Sequence, residues 1–108
     1  MTKIRKHGEI DEASKLLADW RSMMIVHAVY EHGPLRYRDL DAMLELSPTV
    51  LSGKLTQLAQ LGIITRIQAD GAKGVLYETT PLSIEIVKAY HLLESVNEVL
   101  QRDRKVLC

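Results

Sequence analysis

Thr49, Ser52, Thr56 and Gln60 recur with Gly53 at spacings of three and four just beyond Ser47-Pro48. At about 100° per residue these small uncharged side chains share one side of a helix, while Leu51, Leu55, Leu58 and Leu61 gather on the other. No base stands beside these hydroxyls to activate them, so their chemistry is recognition: hydrogen bonds to the edges of planar groups such as base pairs. Gly53 costs roughly 1 kcal/mol relative to Ala inside a helix, which either marks a close approach to a partner or is simply tolerated. Catalysis has no comparable constellation. His7, His27, His32 and His91 are scattered without a Ser, Cys or acidic partner at a useful spacing, and His27, in an apolar helix, is expected to be a hydrogen-bonded core or interface residue. No glycine-rich phosphate loop follows a strand. The lone Cys108 can form no internal disulfide, and no Cys or His cluster has ligand spacing. The chain reads as a non-enzyme with no metal and no cofactor.

The elements that would present this face follow from local signals. Ser47 is a good N-cap and Pro48 suits the first helical position, where its missing N–H costs nothing. Gly62 ends the helix, and Ile63 to Gln68 and Val75 to Thr79 read as strands rich in β-branched residues. Between them, Asp70-Gly71 and Lys73-Gly74 supply hairpin turn chemistry, with Lys73 at the tip either touching phosphate or solvated. Upstream, His32-Gly33-Pro34 closes an N-terminal helical region, Leu35 and Arg36 form a very short strand, and Tyr37 to Leu44 a short helix with Leu40, Met43 and Leu44 inward. A turn at Glu45-Leu46 joins the two helices, and Lys54, on the flank of the leucine face, should snorkel. Helix, tight turn, helix and hairpin outline a winged helix-turn-helix, mainly α with a small β-hairpin, and point to double-stranded DNA.

Both ends extend this unit. Glu9 to Leu17 is helical with Asp11 and Glu12 in the first turn, and Ile10, Ala13, Leu17, Trp20 and Met24 continue one stripe. Periodicity leaves open whether one helix runs to Glu31 or breaks near Asp19, a possible N-cap. From Pro81 to about Arg104 a long helix carries Ile86, Tyr90, Leu93, Asn97 and Leu100 beside a second row of Leu82, Ala89, Leu92, Val96 and Val99. Two rows exceed what one small core needs, so one is assigned to the domain and the other, together with the N-terminal helix through Ile10 and Leu17, to a partner subunit. Asn97 either fixes the register of that seam or faces solvent.

At 108 residues the chain is sized for one domain: 1–32 an N-terminal helical region, 33–80 the helix-turn-helix and wing, 81–108 the C-terminal helix. Lys plus Arg equals Asp plus Glu at 14 each, and each region is itself balanced. DNA affinity would then rest on the placement of a few cations, not on net charge. No apolar run reaches the roughly 18 residues of a membrane span and no signal peptide precedes the domain, so the expectation is a cytoplasmic protein with no membrane partner.

The stretch Gly33-Pro34-Leu35-Arg36-Tyr37-Arg38-Asp39-Leu40 resembles the HxlR-type winged-helix regulators, relatives of MarR, whose pattern there is Gly-Pro-Leu-Arg-Phe, an acidic residue and Leu. Ser47, Val50-Leu51-Ser52, Leu55 to Leu58 and Gly62-Ile63-Ile64-Thr65-Arg66 are similar to that family's recognition helix and its exit. Val75, Tyr77 and Thr80 fall near its pattern after the wing. The resemblance covers about residues 20 to 85 and implies a sequence-specific, DNA-binding transcriptional regulator acting as a homodimer, its two recognition helices roughly 34 Å apart on a palindromic site. Thr49, Ser52, Gly53, Thr56 and Gln60 would then face the major groove, with Arg36, Arg38 and Lys73 on the phosphate backbone. Thr56 stands where the family usually carries an Arg, and with no Cys before position 108 the family's N-terminal thiol switch does not carry over. The rival reading is a winged-helix interaction or dimerisation module that has lost DNA binding.

Overall fold

The computed structural model describes residues 11–68 and 74–107. In chain order it contains α1 (Asp11–Ala18), α2 (Trp20–His32), β1 (Leu35–Arg36), α3 (Tyr37–Leu44), α4 (Pro48–Gln60), β2 (Ile64–Gln68), β3 (Val75–Thr79) and α5 (Pro81–Leu107). Ile10, Asp70, Gly71, Lys73 and Cys108, each given a role above, lie outside the described residues.

Asp19 resolves the open question at the N-terminus: the helix breaks there. Its backbone is extended and its carboxylate accepts from the amides of Arg21 and Ser22, satisfying donors that the first turn of α2 leaves free. This break resets the helical phase, so a stripe counted from Leu17 through Trp20 to Met24 no longer lies on one face. Trp20 is half exposed with the Arg21 guanidinium over its ring, Ala13 is exposed, and Leu17 and Met24 are only partly buried. Met23, Ile25, Val26, Ala28 and Val29 are buried instead, because α2 runs through the middle of the domain and meets α1, α3, α4, α5 and β3.

Leu40 and Leu44 of α3, Leu51, Leu55 and Leu58 of α4, Ile63, Ile64, Tyr77 and Val87 complete that core. Met43 and Leu61, both expected inside, are exposed. A two-turn helix touches the core along one line, which in α3 is Leu40 and Leu44. The reason at Leu61 is the way α4 ends. Gly62 adopts φ 74°, its amide donates to the Ala59 carbonyl and the Ile63 amide to the Leu58 carbonyl, so the chain reverses and Ile63, not Leu61, joins Leu58 inside.

The three strands form an antiparallel sheet in the order β1-β3-β2, with Leu35 opposite Tyr77 and Arg66 opposite that same residue on the other side. Thr80 fastens the next helix to this sheet. Its hydroxyl donates to the carbonyls of Gly62 and Ile63, while the buried Ser83 hydroxyl accepts from the Thr80 amide. Beyond Tyr90 the fastening ends: every residue of α5 from His91 to Arg104 is exposed. The expectation that one apolar row packs along the domain therefore holds only for the base of the helix, where Ser83 and Val87 are buried and Ile86 packs on the core.

Candidate nucleic-acid interface

The Ser47 hydroxyl accepts from the Val50 amide at 3.2 Å, and Pro48 follows at the first helical position, so α4 begins where the sequence places it. With Leu51, Leu55 and Leu58 inward, Thr49, Ser52, Gly53, Thr56 and Gln60 are all exposed on the outer side. The outward face is open, as the leucine spacing requires.

Two of its hydroxyl protons are already engaged. Thr56 Oγ1 donates to the Ser52 carbonyl at 3.0 Å, one turn back, and Ser52 Oγ donates to the Tyr37 hydroxyl at 3.5 Å. Tyr37 in turn donates to the Pro48 carbonyl at 3.4 Å. What the two α4 hydroxyls present outward is therefore acceptor lone pairs, with the Thr56 methyl alongside, a set suited to adenine or cytosine amino groups and to the thymine methyl. Sequence reasoning did not identify Tyr37, whose hydroxyl links α3 to the start of α4. The signal was present in the pattern, since Tyr stands where the resembling motif has Phe.

Arg36 and Arg38 flank the start of α3. Their side chains, with Tyr37, Gly74 and Val75, line a shallow cleft of about 210 Å³ between that helix and the stem of the wing. Arg36 is half-buried and Arg38 exposed, and the β1 pairing of Arg36 with Leu76 fixes the cleft against β3. The acid in the first turn of α3 does not oppose them. Asp39 turns back along its own helix, where its carboxylate accepts from the Arg36 amide at 2.9 Å, so its charge serves the positive helix end. Two cations and the stem of the wing thus share one cleft, and its lining residue Tyr37 joins it to α4 through the Pro48 carbonyl and the Ser52 hydroxyl.

Lys54 behaves differently from the expectation. Instead of snorkelling into water it pairs with Asp19 at 2.5 Å, both side chains about three-quarters buried. Burial alone would push the Asp19 carboxyl up, but the Lys54 ammonium and the Ser22 hydroxyl and amide outweigh it and hold the group below its ordinary 3.8. One carboxylate thereby caps α2 and fixes α4 to the α1–α2 break, a contact no local pattern reveals.

His27 also departs from the expected hydrogen bond. Its Nε2 is buried with no hydrogen-bond partner, and the ring packs edge-on against Tyr90 at 5.0 Å, with His91 5.3 Å away. Along α5, Ile86 is packed on the core and Tyr90 half-buried, whereas Leu93, Asn97 and Leu100 are exposed. Among the described residues no helix is long and apolar enough to cross a membrane.

A sequence-family profile described as HxlR-like helix-turn-helix matches residues 16–102. No curated protein matches the sequence. Among solved structures, a MarR-family protein from Enterococcus faecalis V583 superposes with a TM-score of 0.80 at 18% identity, covering 97% of this chain and 96% of its own. The transcriptional repressor BigR from Xylella fastidiosa gives 0.67 at 22% identity, with 84% and 88% covered. A mutant MarR from E. coli, complexed with operator DNA, gives 0.63 at 17% identity, with 94% and 90% covered. These structural likenesses show a shared fold.

Proposed function

This chain belongs to the HxlR-like helix-turn-helix family of DNA-binding transcriptional regulators, and from that premise we propose that it works as a homodimer placing two α4 helices in successive major grooves of a palindromic site. The observation that carries the proposal is the open face of Thr49, Ser52, Gly53, Thr56 and Gln60 beside the Arg36 and Arg38 cleft. In this reading Ser52 and Thr56 accept from base amino groups, Thr49 and Gln60 contact bases or phosphate at the two ends of the helix, and Gly53 lets α4 approach closely. Arg36 and Arg38 neutralise phosphates. Lys73 would extend that contact from the wing tip.

Support for the dimer comes from α5, whose exposed Leu92, Leu93, Val96, Val99 and Leu100 have no cover in one chain. Leu17 on α1, partly buried, is assigned to the same contact with a second subunit.

Fragments selected from genomic DNA by the purified protein, followed by a salt series, test the reading. Arg38→Ala should weaken binding to all sequences alike and lower the salt slope by about one. Thr56→Ala should instead change preference among sequences, by roughly 1–3 kcal/mol at the base it contacts. Equal losses on selected and random DNA for Thr56→Ala would remove it from base readout. No selection above background would remove the function itself.

A further inference from the structure

Ser52 does not do what its place in α4 invites. A serine or threonine inside a helix commonly returns its hydroxyl proton to the carbonyl four residues back, and Thr56 does so, donating to the Ser52 carbonyl at 3.0 Å. For Ser52 that carbonyl belongs to Pro48. It has two lone pairs: the helical ladder gives one to the Ser52 amide, and the Tyr37 hydroxyl occupies the other at 3.4 Å. Ser52 Oγ donates to the Tyr37 oxygen instead, at 3.5 Å.

The direction of this chain is fixed at its inner end. A carbonyl can only accept, so the Tyr37 proton goes to Pro48, and the Tyr37 lone pairs are left for the Ser52 proton. What Ser52 turns outward is an acceptor. Tyr37 itself is held from elsewhere: it opens α3, packs on the core and lines the cleft with Arg36 and Arg38. The polarity of Ser52 is therefore set by a residue 15 positions away on another helix.

We propose that Tyr37 is the specificity-determining residue for one base pair of each half-site: it keeps the Ser52 hydroxyl off its own helix and presents it as an acceptor, so that Ser52 selects adenine or cytosine over thymine or guanine. This rests on the DNA-binding reading above and adds to it a residue that acts through Ser52. In the major groove adenine and cytosine offer an amino donor, whereas thymine and guanine offer no donor, so an outward lone pair separates the two classes. Both bonds are exposed and long for hydroxyls, so water competes with them in the free protein. A duplex seated on α4 removes that water. There each bond polarises the next, from the base amino group through Ser52 and Tyr37 to Pro48, while a keto oxygen would meet lone pair with lone pair. Without the Tyr37 hydroxyl the Ser52 proton has two other destinations. It can turn to the Pro48 carbonyl, which moves Oγ from where Tyr37 holds it, or outward to a keto oxygen; both weaken the choice.

The test compares Tyr37→Phe, Ser52→Ala and the double variant with the wild type on a site selected by the wild-type protein. Fluorescence anisotropy measures binding to duplexes carrying each of the four bases at each position. Phenylalanine keeps the ring that packs on the core and removes only the hydroxyl, and thermal unfolding checks that the fold is kept. Ser52→Ala should identify one base pair, repeated in each half-site, at which the wild type favours adenine or cytosine by roughly tenfold. Tyr37→Phe should reduce that preference to about threefold or less, leave the other positions and the affinity for random DNA unchanged, and add nothing to Ser52→Ala. If Ser52→Ala alters the preference and Tyr37→Phe does not, the proposal falls while base reading by Ser52 stands. A uniform loss on all sequences in Tyr37→Phe would make Tyr37 a mere support of α4, and a preference for thymine or guanine at the Ser52 position would reverse the polarity; either result overturns the proposal. A Ser52→Ala variant that marks no base pair ends the proposal together with the Ser52 base contact. No selected site at all would end the DNA-binding reading as well.

Discussion

Replacing Asp19 tests how α4, the helix proposed to read DNA, is held. In Asp19→Ala the N-cap of α2 is lost, at about 1 kcal/mol. The buried Ser22 hydroxyl, which donates to Asp19 at 2.9 Å, loses its acceptor, adding about 1 kcal/mol. Lys54 keeps a largely buried ammonium without its partner, and since about a quarter of each side chain meets water the cost is again about 1 kcal/mol, well under that of a fully buried pair. The sum of about 3 kcal/mol should lower Tm by more than 10 °C in a domain of this size. Asp19→Asn keeps the oxygen that caps α2 but puts an amide NH2 where the carboxylate accepts from the Ser22 hydroxyl and pairs with Lys54, so it should cost about 2 kcal/mol. Lys54→Met, which leaves the cap intact and removes the charge needing a partner, should cost about 1 kcal/mol at most. Circular dichroism during thermal and urea unfolding, at fixed protein concentration, would measure the order. Because the folded Asp19 carboxyl sits below 3.8, its contribution is complete above that pH and is lost as the pH falls through the folded value. The gap between wild type and Asp19→Asn should therefore close in acid. Equal losses in Asp19→Ala and Lys54→Met would refute the reasoning, since the cap and the Ser22 bond would then contribute nothing.

Three further substitutions probe the backbone around α4. Gly62→Ala forces a side chain into φ 74° with open space around the new Cβ, so a loss of about 1–2 kcal/mol in urea unfolding should come from the backbone alone. Gly53→Ala meets nothing within 4 Å and should raise stability by up to about 1 kcal/mol while weakening binding to selected DNA; unchanged binding would show that the glycine is merely tolerated. Glu45 holds φ 53° at the end of α3, and Glu45→Gly should stabilise the fold by about 0.5–1 kcal/mol, a lower Tm being the contrary result.

The parts of this fold that were legible in the sequence are those specified within one or two turns of chain. Ser47 meets Val50, Pro48 needs no donor, and Gly62 supplies the left-handed residue, so α4 and its outward face follow from neighbours a few positions apart. The misplacements of Trp20 and Leu61 have one cause, which is a change of direction that periodicity does not register. Trp20 follows the break at Asp19, and Leu61 sits on the reversal at Gly62; each keeps its spacing while the face it belongs to rotates away. Met43 sits one position before the end of a helix too short to bury a second line. Lys54 illustrates the other limit, because its partner lies 35 positions away and only the packing of α4 against the start of α2 brings them together.

The balance of 14 basic and 14 acidic residues is misleading for the same spatial reason. A carboxylate opposes DNA only if its charge reaches the face that DNA would occupy. Asp19 is directed at Lys54 and the start of α2, Asp39 at the start of α3, and Glu85 at Lys88 on α5. Each of these acids is committed to an amine or amide of its own fold, while Arg36 and Arg38 line an open cleft beside the α4 face. Within about 8–10 Å, the screening length at ordinary salt, a phosphate meets the local arrangement and not the sum over the chain. Neutral composition is thus compatible with a cationic contact, and the proposed reading makes a specific demand: with few cations to neutralise phosphate, affinity should have a shallow salt slope, and the proposed discrimination falls to Ser52, Thr56 and the other small side chains of α4.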